Sequence, residues 1–113
     1  MANRSKSLND IDAELGVIAS CYHGGGVSVA EAVKVMNADF FYNNDCRRIW
    51  EIVEKLWERQ AFGRVQFLSA VKKVDESLYA LVQQAKSQFP SRYELQSHLN
   101  NLRRCHYIRK TAL

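Results

Sequence analysis

The stretch Phe40-Phe41-Tyr42-Asn43-Asn44-Asp45-Cys46-Arg47-Arg48-Ile49-Trp50 constrains the fold more than any other. Three aromatic residues close an extended or turn-like segment, and rings of that size seek a core. Asn43 and Asn44 tolerate turn conformations, and either Asn44 or Asp45 can cap a following helix. From about Cys46 to Arg59, Ile49, Trp50, Val53, Leu56 and Trp57 recur at spacings of one, three and four, the mark of one heavily apolar helix face. Trp50 and Trp57 are expected to anchor the core. Glu51 and Lys55 are spaced as a favourable i, i+4 pair on the other side.

The flanking sequence supports more helices. Ile11, Leu15, Ile18 and Tyr22 form one amphipathic stripe, with Asn9 or Asp10 as cap and Asp12 and Glu14 at the positive end of the dipole. His23-Gly24-Gly25-Gly26 stops that helix. It is not a phosphate loop, since no Lys-Ser or Lys-Thr follows and no strand precedes it. Ser28 and Glu31 read as a capping box for a short helix that Asn37 ends. Phe67, Val71 and Val74 share a face of a helix ending near Lys72 and Lys73. Asp75 caps the next, with Leu78, Leu81, Val82 and Ala85 inward. Phe89-Pro90 breaks that helix, Ser91 and Glu94 suggest a second capping box, and Leu95, Leu99, Leu102 and His106 make a last stripe. The expectation is an all-α fold of about six helices. A tail covers residues 1–7 and a helical domain covers 8–113, a helical head followed by an antiparallel hairpin at about 76–113.

Charge is uneven. Residues 1–60 carry seven Lys/Arg against nine Asp/Glu, and residues 61–113 carry nine against three. A basic second half can meet nucleic acid or an acidic protein surface, or simply be solvated. Arg103, Arg104, Arg109 and Lys110 are the basic surface candidates. Cys21, Cys46 and Cys105 are odd in number and widely spaced, which suits neither a disulfide framework nor a zinc site. No apolar run is long enough for a bilayer, and no signal peptide is evident, so a reducing cytoplasm is expected.

No catalytic constellation stands out. There is no His-Glu-x-x-His, no phosphate loop and no nucleophile in a recognised setting. Cys105 and His106 are adjacent, and adjacent helical residues point away from each other. The chain is therefore expected to be non-enzymatic, with no cofactor and no metal of its own. What remains is a nucleic-acid-binding helical domain or a protein-interaction and assembly domain.

The order of features resembles the N-terminal domain of DnaB-family replicative DNA helicases. Ile11-Asp12-Ala13-Glu14-Leu15-Gly16-Val17-Ile18 is similar to the family's first helix. Phe41-Tyr42, then Cys46-Arg47, then Ile49-Trp50 follow its corner, and Leu56-Trp57-Glu58 follows its next segment. Leu78-Tyr79-Ala80-Leu81-Val82, Pro90-Ser91, Tyr93 and Arg103 to Lys110 complete a likeness covering about Ser7 to Leu113. Cys46 stands where the family usually has His, and Gln60, Phe62 and Arg64 where Gly, Pro and Asp are common. The Gly-Gly expected before Tyr79 is missing. These departures fit a divergent phage, prophage or plasmid type.

The resemblance implies a non-catalytic collar domain that pairs with its neighbours to build a dimer or a hexameric ring and docks primase or a helicase loader. ATP and Mg would belong to a separate C-terminal motor domain, and DNA would be bound only weakly or through the whole ring. The chain would then be an excised domain. A stand-alone adaptor or inhibitor is the alternative. Tyr93, Leu95, Leu99 and Leu102 on the last helix are the self-association and partner candidates. On that reading Leu99→Glu lowers the oligomeric state and leaves helicity intact, whereas unfolding marks a core residue.

Overall fold

The computed structural model describes residues 10–112. They form α1 (Ile11–Gly24), α2 (Gly26–Val33), α3 (Asn44–Glu58), α4 (Arg64–Val74), α5 (Glu76–Gln88) and α6 (Leu95–Ala112), with a 3-10 turn at Ala38–Phe40 and no strand among the described residues. The fold is all-α.

α1 is the central element. Every residue from Ala13 to Cys21 is buried. The amphipathic stripe expected there is only part of its packing surface. Ala13, Gly16, Val17, Ala19, Ser20 and Cys21 are small enough on the remaining sides for other helices to close over them. Asp10 is the cap, with Oδ1 accepting the Ala13 N–H at 3.0 Å. The glycine run ends the helix as expected. Gly25 sits at φ 63°, where a side chain is strained, and its N–H returns to the Cys21 carbonyl at 2.9 Å.

Several helix starts differ from the expected ones. The chain re-enters a helix directly after Gly25, whose carbonyl receives the Val29 N–H at 3.1 Å. Ser28 therefore lies inside α2, and the expected capping box is not used. At α3 the cap is Asn43, whose extended backbone lets Oδ1 accept the Cys46 N–H at 2.9 Å. Asn44 and Asp45 already belong to the first turn. Asp75 does cap α5, accepting from the Ser77 N–H at 2.8 Å. Ser91 makes a local turn by accepting the Tyr93 N–H at 3.0 Å, so α6 begins only at Leu95 and Glu94 does not close a box.

α6 runs antiparallel to α1. Gly24, at the end of α1, lies against Arg92 just before α6, and Gly16 lies against the His98 ring about two turns further along. The expected hairpin of residues 76–113 takes a different form. α5 and α6 are joined by a short turn, but each packs chiefly on α1 rather than on the other. The reason is α1 itself, a helix apolar enough to receive both stripes. Phe89 stays in the turn, edge-on to His98 at 5.0 Å. Leu78, Val82 and Ala85 are buried from α5, and Phe67 and Val71 from α4, while Val74 remains on the surface.

The closest approach in this core makes a test. A Cβ at Gly16 would overlap the His98 ring. Gly16→Ala gains up to about 1 kcal/mol of helix propensity, yet it is expected to destabilise by a net of about 1–2 kcal/mol through overpacking. Urea denaturation measures this. Adding His98→Ala should relieve the Gly16→Ala penalty; a simple sum of the two losses would show that the ring is not the obstacle.

Candidate functional site

The aromatic corner is held by a buried carboxylate. Glu14 is 1% exposed. Its Oε2 accepts the Tyr42 N–H at 2.8 Å and its Oε1 accepts the Asn43 N–H at 3.1 Å. The Arg109 Nη2 donates to the Phe40 carbonyl at 2.8 Å, and the Arg47 Nη2 donates to the Phe41 carbonyl at 3.1 Å. The Tyr42 and Asn43 N–H groups and the Phe40 and Phe41 carbonyls thus meet side chains from α1, α3 and α6. Phe41 stacks on Trp50 at 5.6 Å, and Phe40 stacks on His106 at 3.8 Å. Burial pushes the Glu14 carboxyl up, while the Tyr42 and Asn43 N–H groups and the Arg109 charge oppose that shift. The sequence reading missed this role and took Glu14 for a dipole partner. The signal was present: a lone glutamate inside Ala13-Glu14-Leu15-Gly16-Val17-Ile18.

Cys46 lies beside Glu14, and burial followed by that carboxylate's charge raises its thiol pKa. Cys21 is raised by burial as well. Neither favours a thiolate nucleophile. Among the described residues no group of three or more His, Cys, Asp or Glu is arranged to hold a metal ion. No helix among them is long and apolar enough to cross a membrane.

The self-association candidates separate. Leu99 and Leu102 are closed inside this chain, and Leu95 is buried as well but edges the cleft beside Tyr93. In this fold α6 packs chiefly on α1, and the stripe is covered within the chain. Tyr93 alone of the four remains on the surface, at 81% exposure. It borders a cleft of about 350 Å³ with Val27, Ser28, Glu31, Arg92, Leu95 and Gln96. Val27 there is 70% exposed, and the Arg92 guanidinium lies 5.1 Å from the Tyr93 ring centre.

The basic candidates separate too. Arg109 is tied to the Phe40 carbonyl and lies 5.4 Å from the Tyr42 ring centre, so it is a clamp on the corner. Arg103 is half-buried; Arg104 and Lys110 are exposed. The four do not form one free basic face.

A second surface surrounds Trp57. Trp50 is fully buried, but Trp57, expected to match it, is only half-buried. Clefts of about 650 and 270 Å³ adjoin it; Glu58 and Phe62 line the larger, and Val33, Met36, Glu54 and Glu58 the smaller. Glu51 and Lys55 do not form the expected ion pair: the pairs among the described residues join Arg48 to Asp45 and Asp75, and His98 to Glu94.

No family profile, curated protein or solved structure matches this chain.

The Glu14 clamp has a pH signature. The folded chain holds the Glu14 proton more tightly than the unfolded chain does. Its contribution to stability is therefore full below the ordinary glutamate pKa and is lost as pH rises through the raised value. Glu54, raised chiefly by burial, acts in the same direction. In urea melts across the acidic range, Glu14→Gln should flatten the loss of stability with rising pH but not abolish it. Glu14→Ala leaves the Tyr42 and Asn43 donors without their acceptor and should cost about 2–4 kcal/mol. An unchanged pH slope in Glu14→Gln would refute the assignment.

Proposed function

We propose that this chain is a non-catalytic assembly domain of a DnaB-type replicative DNA helicase, associating with copies of itself and docking a primase or loader. One observation carries the reading. The two stretches that bear the strongest resemblance, around Glu14 and around Phe41 to Trp50, meet in the fold through the Glu14 carboxylate. Their joint occurrence thus has a physical basis, because the first supplies the acceptor that the turn of the second requires. In this reading ATP hydrolysis and translocation belong to a motor domain elsewhere in the protein, in a cytoplasmic replication machine.

Self-association is assigned to the patch of Val27 and Tyr93, because the leucines of α6 are occupied within the chain. Arg92 and Glu31 border the same cleft. A two-fold contact places each patch on its own copy, so the arginine of one chain can meet the glutamate of the other. Arg109 is committed to the corner, which supports weak rather than tight binding of single-stranded DNA.

Light scattering across a concentration series tests the assembly reading. The wild type should form dimers or larger species. Val27→Glu with Tyr93→Glu should return it to monomer with an unchanged melting temperature, since both residues are exposed. Leu99→Glu should instead unfold the chain, as a charge placed in the core does. A wild type that stays monomeric at every concentration refutes self-association by this domain. Reading the gene beyond the Leu113 codon tests the helicase: an open frame reaching Gly-x-x-x-x-Gly-Lys-Ser/Thr supports it, and a stop codon favours a free adaptor or inhibitor.

A further inference from the structure

We infer that the surface around Trp57 is a docking groove for a basic amphipathic helix of another protein. This does not rest on the helicase reading and uses a different face from the Val27–Tyr93 patch.

The floor sets apolar side chains beside the amides of Asn37 and Gln60. Trp57 is half-buried and separates the two clefts; Phe62 lines one, and Val33 and Met36 line the other. A large indole left open between two hollows gives an entering side chain apolar contact on more than one side. The rim is acidic. Glu51, Glu54 and Glu58 stand at i, i+3 and i+7 on α3, which puts them within one narrow sector of the helix, next to Trp57. Among the described residues no cation forms an ion pair with any of the three. Glu54 spends one oxygen on the Ala38 N–H at 3.2 Å. Its carboxyl is pushed up by burial, and the charges of Glu58 and Glu51 add to that shift. Like charges are therefore crowded here; of the cations on that flank of α3, Lys55 forms no ion pair with them and Arg47 is turned to the Phe41 carbonyl.

Charge complementarity selects the occupant. The carboxylates span two helical turns, roughly 10 Å. A helix laid along α3 that carries Lys or Arg at the same spacing meets all three, and its apolar side meets Trp57 and the clefts. A cation near the indole face gains further from the ring's negative quadrupole. An acidic or uniformly apolar partner would leave the crowding of Glu51, Glu54 and Glu58 unrelieved.

The probe is a fluorescein-labelled amphipathic helix with Leu at i, i+3 and i+4 spacing and Lys or Arg beside it. The control is the same peptide with Glu in place of every Lys and Arg. Anisotropy and tryptophan emission should report binding of the basic probe, weakening as salt rises, and no binding of the acidic one. Glu51→Lys with Glu58→Lys changes two exposed residues and should preserve the circular dichroism spectrum. It should weaken binding by about tenfold or more. Trp57→Phe should remove the emission response. The proposal is overturned if the wild type does not bind the basic probe, or if the double reversal binds it equally well. It is also overturned if the double reversal changes the sedimentation of the chain alone, because the occupant would then be a second copy.

Discussion

The carboxylate of Glu14 is the interaction on which the rest of the fold depends. It sits on the one helix that is buried along most of its length, and it is the only acidic residue among the buried ones described. A buried carboxylate is costly unless its oxygens are engaged. Here they take the N–H groups of Tyr42 and Asn43, the two residues at which the chain turns into α3. The same turn has its carbonyls served by Arg47 and Arg109. With the turn fixed, Phe41 can stack on Trp50 and Phe40 on His106. The corner thus connects α1, α3 and α6 through backbone groups, and its aromatic rings fill the space between them.

Much of this was legible. The glycine stop after α1, the caps at Asp10 and Asp75 and most of the inward faces of α4 and α5, Val74 and Leu81 excepted, follow from residue type and spacing. What was not legible has a common cause. Ser28 and Ser91 fit a capping box in sequence, but whether a serine caps depends on which upstream carbonyl already receives the local N–H groups. At Gly25 the backbone turns within one residue, so the helix restarts before Ser28 can act. The stripe of Leu95, Leu99 and Leu102 presents the same difficulty. Its spacing says that one side of α6 is covered, but not by what. The answer lies in α1, where Ala13, Gly16 and Ala19 make room for a neighbour. A run of small and apolar residues around a helix is the sign of a central element, whereas the reading of Ile11, Leu15, Ile18 and Tyr22 alone gave a surface one.

The two tryptophans of α3 show how position along a helix decides between core and surface. They are seven residues apart and occupy nearly the same angular position. Trp50 faces the corner and is closed in by Phe41. Trp57 lies a further two turns along, near the end of α3, where Gly26 offers no side chain to cover it. Periodicity places both rings on the same side. Only the arrangement of α1 and α2 determines that one is sealed and the other stands between two clefts.

Five of the nine cations in the second half of the chain are held beside tyrosines. Arg64 and Lys86 both approach Tyr22, at 5.5 and 4.4 Å from the ring centre. Lys72 lies 5.1 Å from the Tyr79 ring, Arg92 the same distance from Tyr93, and Arg109 lies over Tyr42. Arg64 also donates to the Tyr22 and His23 carbonyls at 3.2 and 2.6 Å, closing the end of α1. Each such contact is worth about 0.5–1 kcal/mol at an exposed site, and together they draw these cations to four different tyrosines. A phosphate backbone is bound by several cations aligned along one track. These cations are placed by five separate local contacts, and Arg109 has its position set by the same corner that Glu14 holds. The acidic rim on α3 has no such dispersal: Glu51, Glu54 and Glu58 stay together because consecutive turns of one helix keep them there.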